Sequence, residues 1–560
     1  MPPQRGSLMA KFSAVLIALL MVASACGGVS APEAERVEFA ARSWPETATA
    51  ECQAAGGIAQ IRAVEELTVE FTLCAPDVAF LEKIALTNFA IQDSGYLKAH
   101  AGDGTLVTTP NGTAALSFSA WEIGSQIVLE RFDDYWGEKA KAARVVIQWQ
   151  AESAARLLAL QAGTADGIDN VGTEDVARIA ADPALALYPR EALNTMYIGM
   201  NHDYAPFNDV RVRKAIALAL DRQRILDTFY PEGSTIATHF TPCVLPGGCE
   251  GDEWYAQNIA EAKALLADAG FPNGFKTTIE YRDAVRGYLP TPTAVATDIQ
   301  EQLRAVGIDA TLVLTESSAY LDRVFGGQIP GLFLWAWIAD FPNASNFLFG
   351  AFGDGANPAL GSSYPELVPL VTELLRAPES ERAAAYAAVN DAIKEQVPMV
   401  PVAHGGSSLA FRADVQGAHA SPLYREQLAE MQPGDRETLV WIQPAEPAGL
   451  YCGDEFDAES MRVCIQVGEA LYGYEQGSAI VKPQLATSCT ASNDQLVWTC
   501  TLREGVKFHN GATLDASDVV DTYAAMWDCA HPYHVGRTGS FAVWSTMWLS
   551  HLNPEACPAS

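Results

Sequence analysis

Segments with the two-residue period of a β-strand alternate along this chain with segments of helical period, a pattern typical of α/β proteins. Leu67–Leu73 has strand period. Ala260–Ala269 and Asp298–Val306 have helical period and each ends at a glycine, and Ile308–Leu314 then resumes as a strand. The apolar faces are formed by Val69, Phe71 and Leu73 in the first strand and by Ile299, Leu303 and Val306 in the second helix. Sheets covered by helices, with clefts at their edges, are therefore expected.

The N-terminal residues 1–26 have the three parts of an export signal. Arg5 and Lys11 supply positive charge, Phe12–Val22 is apolar, and Ala23–Cys26 is a small-residue cleavage site. The apolar run is about half as long as a membrane-spanning helix requires. Removal of the signal leaves about 535 residues, enough for two or more lobes.

Cys26 directly follows Ala-Ser-Ala and resembles the cysteine of a bacterial lipobox, which is acylated and becomes the mature N-terminus. A lipobox usually has Leu three positions before its Cys, where this chain has Ala23. We expect lipidation at Cys26 and an exported protein tethered to the membrane, at the cell surface or in the periplasm. Plain secretion with cleavage nearby is the alternative.

The charge balance argues against a nucleic-acid-binding protein, and the missing motifs give no indication of an enzyme. The chain carries 68 acidic and 36 basic residues, a formal net charge of −32, and such a field repels nucleic acid. The sequence contains no His-Glu-x-x-His, no Gly-x-Ser-x-Gly, no phosphate loop and no dinucleotide fingerprint. It therefore indicates no enzyme, no catalytic residue and no cofactor.

The eleven cysteines become an even set of ten once Cys26 is set aside for lipid. An exported protein meets an oxidising compartment, so disulfides are expected. The local candidates are Cys243 with Cys249 around a Pro-Gly-Gly turn, Cys452 with Cys464, and Cys489 with Cys500 around a hairpin. The remaining Cys52, Cys74, Cys529 and Cys557 could tie the chain ends together. A metal site at Cys529, His531 and His534 is the alternative, although the spacing fits no standard zinc pattern.

Six stretches carry recognisable patterns. They are Leu502–Val520 (LREGVKFHNGATLDASDVV), Pro206–Arg222 (PFNDVRVRKAIALALDR), Asn111–Gly137, Ala159–Asp169 (ALQAGTADGID), Ala260–Phe275 and Trp335–Leu348 (WAWIADFPNASNFL). Together they resemble family 5 of the extracellular solute-binding proteins, the peptide- and nickel-type receptors that supply ABC importers. The resemblance implies an α/β, two-lobed periplasmic-binding-protein type II-like fold with an additional inserted domain.

The order of the stretches differs from that of the family, in which the block at Leu502–Val520 comes early and the block at Pro206–Arg222 comes in mid-chain. Reading 437–560 before 31–436 restores one complete receptor with nothing duplicated. The chain is therefore interpreted as circularly permuted, with the family's two ends joined around Met431–Asp435. A fusion of two broken genes is the alternative.

The resemblance also supplies a domain plan with a discontinuous lobe I, an inserted domain II and a contiguous lobe III. In chain order it gives 1–26 signal peptide, 31–108 second part of domain II, 109–198 middle part of lobe I, 199–410 lobe III, 411–480 joined ends of lobe I, and 481–560 first part of domain II. The new chain ends, Ser30–Pro45 and Asn553–Ser560, fall in domain II. Hinges are expected where the lobes cross, near Asn201 and Phe411.

The ligand is expected between lobes I and III. Asp340 matches the position at which peptide-binding relatives place an acidic residue against the α-amino group of the ligand. A buried ammonium group needs such a partner, because a buried unpaired charge is unfavourable. Trp337 is the expected wall of the site, and a helix-capping role for Asp340 is the alternative. The further candidate ligand-binding residues are Trp335, Tyr472 and Trp121; no metal ligand is expected.

These observations predict a monomeric, lipid-anchored receptor that captures a small peptide or related solute and delivers it to an ABC permease. Two alternatives use the same cleft. One is an exported hydrolase acting on peptides or glycans, and the other is a receptor for nickel or a metallophore.

Overall fold

The α/β pattern of the sequence is realised as three large sheets with helices packed around them. The structure, a computed structural model, describes residues 41–48, 57–282, 286–353, 356, 358–361, 364–548 and 551–557. All of these belong to one unit, residues 41–560. The expected signal peptide, Cys26 and Cys52 lie outside the described residues.

The strands, numbered in chain order, are β1 (Arg42–Trp44), β2 (Ile58–Glu65), β3 (Thr68–Leu73), β4 (Leu116–Glu122), β5 (Gln126–Arg131), β6 (Arg144–Trp149), β7 (Gly167–Ile168), β8 (Leu185–Arg190), β9 (Asn194–Met200), β10 (Thr235–Ile236), β11 (Lys276–Tyr281), β12 (Asp309–Leu314), β13 (Leu332–Ile338), β14 (Met399–His404), β15 (Ser407–Arg412), β16 (Val415–Gln416), β17 (Gln432–Pro433), β18 (Thr438–Gln443), β19 (Tyr472–Tyr474), β20 (Val481–Pro483), β21 (Ala486–Ala491) and β22 (Val497–Leu502).

The α-helices are α1 (Phe80–Ile84), α2 (Ser94–His100), α3 (Thr105–Thr108), α4 (Ser153–Gln161), α5 (Val176–Ala180), α6 (Val210–Ala219), α7 (Arg222–Phe229), α8 (Ile259–Asp268), α9 (Pro292–Arg304), α10 (Ser317–Phe325), α11 (Ala344–Phe352), α12 (Leu367–Arg376), α13 (Arg382–Gln396), α14 (Ala458–Val467), α15 (Ala516–Trp527) and α16 (Ala542–Trp548). Short 3-10 turns lie at Thr87–Phe89, Thr173–Asp175, Pro358–Leu360, Glu379–Glu381, Leu428–Glu430, Cys452–Asp454 and Pro554–Ala556. None of the described helices combines the length and the apolar content needed to cross a membrane.

The six-stranded sheet has the order β10-β14-β9-β13-β11-β12. β9 lies between β14 and β13, antiparallel to both, and is buried along its whole length. The helix α9 packs on β11 and β12 through Ile299 and Leu303, which are fully buried. This sheet holds the largest apolar core of the described chain, and β13 leads directly into the segment that contains Asp340.

The seven-stranded sheet has the order β4-β5-β6-β18-β7-β15-β8. Its centre is built from segments far apart in sequence, because β18 pairs in parallel with both β6 and β7. Trp441 on β18 is fully buried and lies 5.4 Å from the ring of Phe411 on β15. The residues after position 437 are therefore part of the sheet core.

The chain passes between these two sheets twice. β8 ends at Arg190 in the seven-stranded sheet and β9 begins at Asn194 in the six-stranded sheet, while β14 and β15 are separated by Gly405 and Gly406. Asn194 ties the two crossings together, since its side-chain amide donates to Gly405 O and accepts from Gly405 N, both at 2.9 Å. The crossings thus lie a few residues before the positions expected near Asn201 and Phe411.

The five-stranded sheet joins the two extremes of the described chain in the order β1-β2-β3-β22-β21. β3 pairs antiparallel with β22, and Leu502 N donates to Leu67 O at 2.8 Å. At the same end of the molecule the Trp44 and His531 rings lie 4.8 Å apart. Leu67–Leu73 and the strand that ends at Leu502 therefore lie side by side in one sheet.

Most local predictions agree with the structure. Val69, Phe71 and Leu73 are buried on β3, and α8 is followed by Gly270 at φ +93°. At the start of α15, Asp515 and Asp518 form a capping box. These features depend on local periodicity and capping chemistry, which sequence reports directly.

Pro206–Arg222 contains the helix α6 and the first residue of a separate helix, α7. Asp209 caps α6, Leu220 is extended, and Asp221 caps the separate helix α7. Arg211 pairs with Asp209, but the buried Arg213 donates to backbone carbonyls, among them Phe207 O at 2.7 Å. Backbone carbonyls next to helix ends have no partner within the helix, and Arg213 donates to carbonyls of this kind.

The three local disulfides expected from spacing are present: Cys243–Cys249, Cys452–Cys464 and Cys489–Cys500. A fourth bond joins Cys529 to Cys557, and Cys74 is also disulfide-bonded. The Cys489–Cys500 bond links β21 and β22 at directly opposed positions, as the predicted hairpin required.

Four charged side chains form a closed ring under the seven-stranded sheet. Arg190 contacts Asp169 at 2.9 Å and Glu426 at 2.6 Å, and Arg462 contacts the same two carboxylates at 2.8 and 3.1 Å. None of the four side chains is more than 2% exposed. Each charge has two opposite partners, the condition under which buried charges are tolerated. We call this set the Arg190–Glu426 ring.

Candidate functional site

A cavity of about 310 Å³ lies where the two crossing segments meet. Its walls are residues 192–194 and 286–288, the 338–342 segment after β13, the 422–425 segment and Leu86. The first three belong to the six-stranded sheet and its connections, while 422–425 follows β16, beyond the seven-stranded sheet's β15. The cavity therefore has two walls that are joined through the crossings.

Asp340 lies in the wall that follows β13. Its Oδ2 accepts a hydrogen bond from Asn346 Nδ2 at 3.0 Å, and its backbone N–H donates to Asn346 Oδ1 at 3.1 Å. Asp340 is reached by solvent through the cavity, yet the protein atoms crowded around its carboxylate raise the pKa of Asp340. A cation entering the cavity would therefore relieve an unfavourable environment of the carboxylate.

Helix capping at this point belongs to another residue. The N-cap of α11 is Asn343, whose side chain accepts from Ser345 N at 2.9 Å. Asp340 instead accepts a hydrogen bond from Asn346, which lies in the first turn of α11. The alternative capping role of Asp340 is thus filled by Asn343.

Tyr424 and Arg425 form the facing wall. Tyr424 has a positive φ of 57°, and its ring lies 4.3 Å from the guanidinium carbon of Arg190. Arg425 presents a cationic side chain that is largely enclosed by protein. Because Arg190 belongs to the Arg190–Glu426 ring, this wall is anchored in the core of the seven-stranded sheet.

Arg286 and Tyr288 complete the polar lining. Tyr288 O accepts from Tyr230 OH at 2.9 Å, and Tyr288 OH accepts from Arg282 at 3.2 Å, so this segment is held in place from both sides. Arg286 lines the same cavity as Asp340 and is exposed. The described charged residues of the lining are thus one carboxylate, Asp340, and two guanidinium groups, Arg286 and Arg425.

The short helix α1 contacts the far side of the Asp340 segment. Glu82 Oε1 accepts from Asn343 Nδ2 at 3.0 Å, and the Lys83 ammonium lies 4.8 Å from the Phe341 ring centre. Burial raises the pKa of Glu82 from its ordinary value of 4.5 to about 7, and Asp77 adds to the rise while Arg382 opposes it. The helix α1, which follows β3 of the five-stranded sheet, therefore also supports the wall of the cavity.

The other predicted site residues lie at different places. Trp337 is half-buried behind Asp340 and donates from Nε1 to Asn346 Oδ1 at 3.0 Å, so it positions the same amide. Trp335 lies on the same strand, near Arg282. Tyr472 OH accepts from Cys489 N at 3.0 Å, and Trp121 Nε1 donates to Glu446 at 2.9 Å. Of these candidates, the structure brings only Trp337 and Asp340 together around one partner.

His509 and His534 are bound to backbone groups. His509 contacts Ala114 O at 2.9 Å and accepts from Gly112 N at 3.3 Å. His534 lies near the Cys529–Cys557 bond, but its ring nitrogens contact Ala525 O and Gly539 O at 2.7 and 3.0 Å. Since Cys529 is bonded to Cys557, the donor atoms of the alternative metal site already have other partners.

The sequence matches the family described as bacterial extracellular solute-binding proteins, family 5 Middle, over residues 31–359 and 481–543. These two ranges cover more than half of the chain. The chain belongs to this family.

Similar proteins are also binding proteins by name. The chain is 29% identical to heme-binding protein A of Haemophilus influenzae, over 65% of this chain and 67% of that protein. It is 27% identical to the dipeptide-binding protein of Escherichia coli, over 65% and 70% of the two chains. The solved structure of HbpA2 from Haemophilus parasuis superposes with a TM-score of 0.61 at 29% identity, covering 65% of this chain and 73% of that one.

Family membership confirms the expected fold class and the general function. The fold is the type II-like α/β fold of periplasmic binding proteins, and the protein is a solute-binding receptor of the ABC-importer type. Its family is one of binding proteins located outside the cytoplasmic membrane.

Sequence reasoning did not single out Arg286, Arg425 or the Arg190–Glu426 ring. Asp169 ends one of the family-like stretches, but nothing in that stretch indicates its partners. Arg425 stands in Leu-Tyr-Arg-Glu-Gln-Leu, where alternating polar residues look like a solvated surface. Their burial results from contacts between segments hundreds of residues apart.

We expect the free energy of unfolding to depend on pH through Glu82. The folded protein holds this proton more tightly than the unfolded chain, so the stabilisation is complete below about pH 4.5 and is lost as pH rises through about 7. Glu82→Gln keeps an acceptor for Asn343 and removes the titration. It should stabilise the protein at pH 8 by at most about 3 kcal/mol and change little at pH 5, measured by denaturant unfolding.

The matched control is Glu301→Gln, which changes an exposed carboxylate paired with Arg304. It should leave the difference between pH 5 and pH 8 as in the parent protein. Equal unfolding free energies of Glu82→Gln and parent at pH 8 would contradict the role of Glu82.

Proposed function

We propose that this receptor binds a small peptide, or a related solute with both charge signs, between its two lobes and delivers it to an ABC permease. The observation that carries the proposal is the cavity, whose lining includes Asp340 in one wall and the cationic residues Arg286 and Arg425 among mainly apolar residues. A zwitterion that enters such a site pairs both of its charges, which offsets their loss of water.

The carboxylate of Asp340 supports a peptide over a porphyrin, the two kinds of ligand that the names of the relatives suggest. One is a dipeptide-binding protein and another a heme-binding protein. The charged side groups of a porphyrin are carboxylates, and these have no cation to offer Asp340. The same carboxylate suits the α-amino group of a peptide, so a peptide is the better occupant.

We further propose that the chain is a circularly permuted member of its family, with the domain plan and boundaries given by the resemblance. Two strand pairings and one turn support this interpretation. β3 pairs with β22, β18 lies between β6 and β7, and the expected junction around 431–435 forms an ordered turn with Gly434 at φ +57°. Arg42, in the stretch Ser30–Pro45, forms an ion pair with Asp521 of the segment assigned to the first part of domain II.

Lipid attachment at Cys26 and a monomeric receptor complete the proposal. Cys26 would then be the mature N-terminus and would lead through a short tether into domain II. Tethering keeps the receptor near its permease without a membrane-spanning helix.

Asp340→Asn tests the proposed ligand site. It retains the size of the side chain but leaves a buried peptide ammonium unpaired, which costs about 3–5 kcal/mol, or roughly two to four decades of affinity. Calorimetric titration with a dipeptide such as Ala-Ala measures the loss. Thermal stability of the unliganded protein should hardly change, because the carboxylate faces the cavity.

An N-acetylated dipeptide completes the cycle. It should bind the parent weakly and be nearly indifferent to Asp340→Asn, because the ammonium partner is already gone. Simple addition of the two losses would show that Asp340 does not hold the amine.

Rearranging the gene tests the permutation. A chain with residues 437–560 placed before 31–436 should fold to the same circular dichroism spectrum and bind the same peptides. The control begins the rearranged chain at Trp335 inside β13, which should fail to fold because that strand is buried in the six-stranded sheet. Failure of both chains alike would argue for the fusion alternative.

Cys26→Ser tests the anchor. Without the acylated cysteine, the protein should appear in the medium or the soluble periplasmic fraction with its peptide affinity intact. The measurement is fractionation followed by titration. Retention of the variant in membranes, in the amount seen for the parent, would exclude lipid at this residue.

A further inference from the structure

The helix α1 links the two sides of the molecule at a point away from the crossings. Glu82 Oε1 accepts from Asn343 Nδ2 at 3.0 Å, and Asn343 caps α11, whose Phe347 belongs to the apolar core of the six-stranded sheet. On its other side, Glu82 O accepts from Tyr474 OH of β19 at 2.7 Å. The same residue is thus bonded both to the wall that carries Asp340 and to β19.

The strand β19 and the segment after α1 belong to the seven-stranded side of the molecule. β19 follows α14, whose Val463 and Val467 are part of the core of the seven-stranded sheet. Asn88 Nδ2, shortly after α1, donates to Cys452 O at 3.1 Å and to Glu455 O at 2.7 Å, in the loop before α14. α1 is therefore fixed to one sheet and reaches across to the other.

Lys83 makes a second contact with the Asp340 segment. Its ammonium group pairs with Asp77 at 2.7 Å and donates to Met547 O at 3.1 Å, so its charge has partners beside α1. The same ammonium lies 4.8 Å from the ring centre of Phe341, and an ammonium over an aromatic face is attracted to it. Phe341 lines the cavity next to Asp340. α1 thus contacts the residues one and three positions after Asp340.

These contacts exclude water. Glu82 is 8% exposed and Asn343 is 3% exposed. Leu86, two residues beyond α1, is also buried and lines the cavity. A rotation of one sheet relative to the other about the crossings moves Asn343 relative to Glu82, because the two residues are fixed to different sheets. The bond between them therefore depends on the relative position of the two lobes.

The charged and titratable groups around Glu82 come from every element packed against it. They are Asp77 before α1, Lys83 within it, Arg382 and Tyr386 of α13, and Tyr474 of β19. Burial raises the pKa of Glu82 from 4.5 to about 7, and parting from Asn343 admits water and lets the pKa fall towards 4.5. The arrangement seen here thus binds the proton more tightly than an opened one. Its advantage is complete below about pH 4.5 and is lost as pH rises through about 7.

We propose that α1 is a latch between the two lobes, whose contacts with Phe341 and Asn343 hold the Asp340 segment in the arrangement that encloses the ligand. The latch loosens when the lobes part. Glu82 and Lys83 are then positioning residues, which raise the affinity for the ligand by fixing the wall behind Asp340. This proposal rests on the proposed binding of a peptide beside Asp340 and adds an element that regulates it.

The first test measures the affinity for Ala-Ala by calorimetry. Glu82→Ala removes the acceptor of Asn343 and should weaken binding at pH 6 by about three- to tenfold, the contribution of one buried hydrogen bond. Glu82→Gln keeps a side-chain oxygen at the same place and should bind within about twofold of the parent at pH 6. Unchanged affinity in Glu82→Ala would overturn the proposal.

A comparison of the parent with Glu82→Gln at two pH values does not depend on the folding of Glu82→Ala. The ratio of the parent's affinity to that of Glu82→Gln should fall by about three- to tenfold between pH 6 and pH 8, because only the parent titrates at this position. The ratio cancels the titration of the peptide's own amino group. A ratio that is the same at both pH values would contradict the latch.

Phe80→Leu is the matched control on the same helix. The Phe80 ring is fully buried and stacks on Trp498 at 4.7 Å, on the side of the five-stranded sheet. The smaller side chain should lower the melting temperature and leave the affinity for Ala-Ala within about twofold of the parent. Equal losses of affinity in Phe80→Leu and Glu82→Ala would show that α1 acts through stability alone, and the latch would be wrong.

A measurement without ligand separates this inference from the proposed function. Small-angle X-ray scattering of the unliganded protein at pH 6 should give a larger radius of gyration for Glu82→Ala than for the parent, and Glu82→Gln should match the parent. If the radius increases although no dipeptide binds the parent, the latch holds and the peptide function fails. If dipeptides bind and neither affinity nor radius changes, only the latch is lost. If no dipeptide binds and the radius is unchanged, both proposals fail.

Discussion

The Arg190–Glu426 ring is the interaction on which the rest of this structure depends. Its four charges come from the end of β8, the loop after β7, the segment after β16 and the helix α14. Removing one member of a buried ion pair is far more unfavourable than exchanging the whole pair for apolar residues. The ring thus fixes the relative positions of segments that are distant in sequence, whether or not it adds net stability.

The ring also connects the core to ligand binding. Arg190 ends one strand just before the chain crosses between sheets, and its guanidinium supports the ring of Tyr424 in the cavity wall. On the opposite wall, Asn346 orients Asp340 and accepts from Trp337. Both walls are therefore tied to the sheets, and the Asn194 amide joins the two crossings by its two bonds to Gly405.

Sequence predicted what depends on local order. The strand at Leu67–Leu73 and the three close disulfides follow from spacing within about a dozen residues. The role of Asn346 and the burial of Arg213 could not be predicted, because each depends on which distant backbone or side chain is brought near. For the cavity, a resemblance identified Asp340, while Arg425 had no distinguishing pattern at all. The role of Asp340 itself stays a prediction until ligand binding is measured.

The five-stranded sheet has a consequence for the order in which this protein can fold. The six-stranded sheet is complete in sequence at His404 and the seven-stranded sheet at Gln443, but β3 has no partner on its β22 side until Leu502 exists. Closing that contact spans most of the chain, and such long closures are slow. β3 can therefore pair with β2 early but reaches β22 late, and until then the β22-facing edge of β3 is an open strand edge for which a folding helper or another chain could compete.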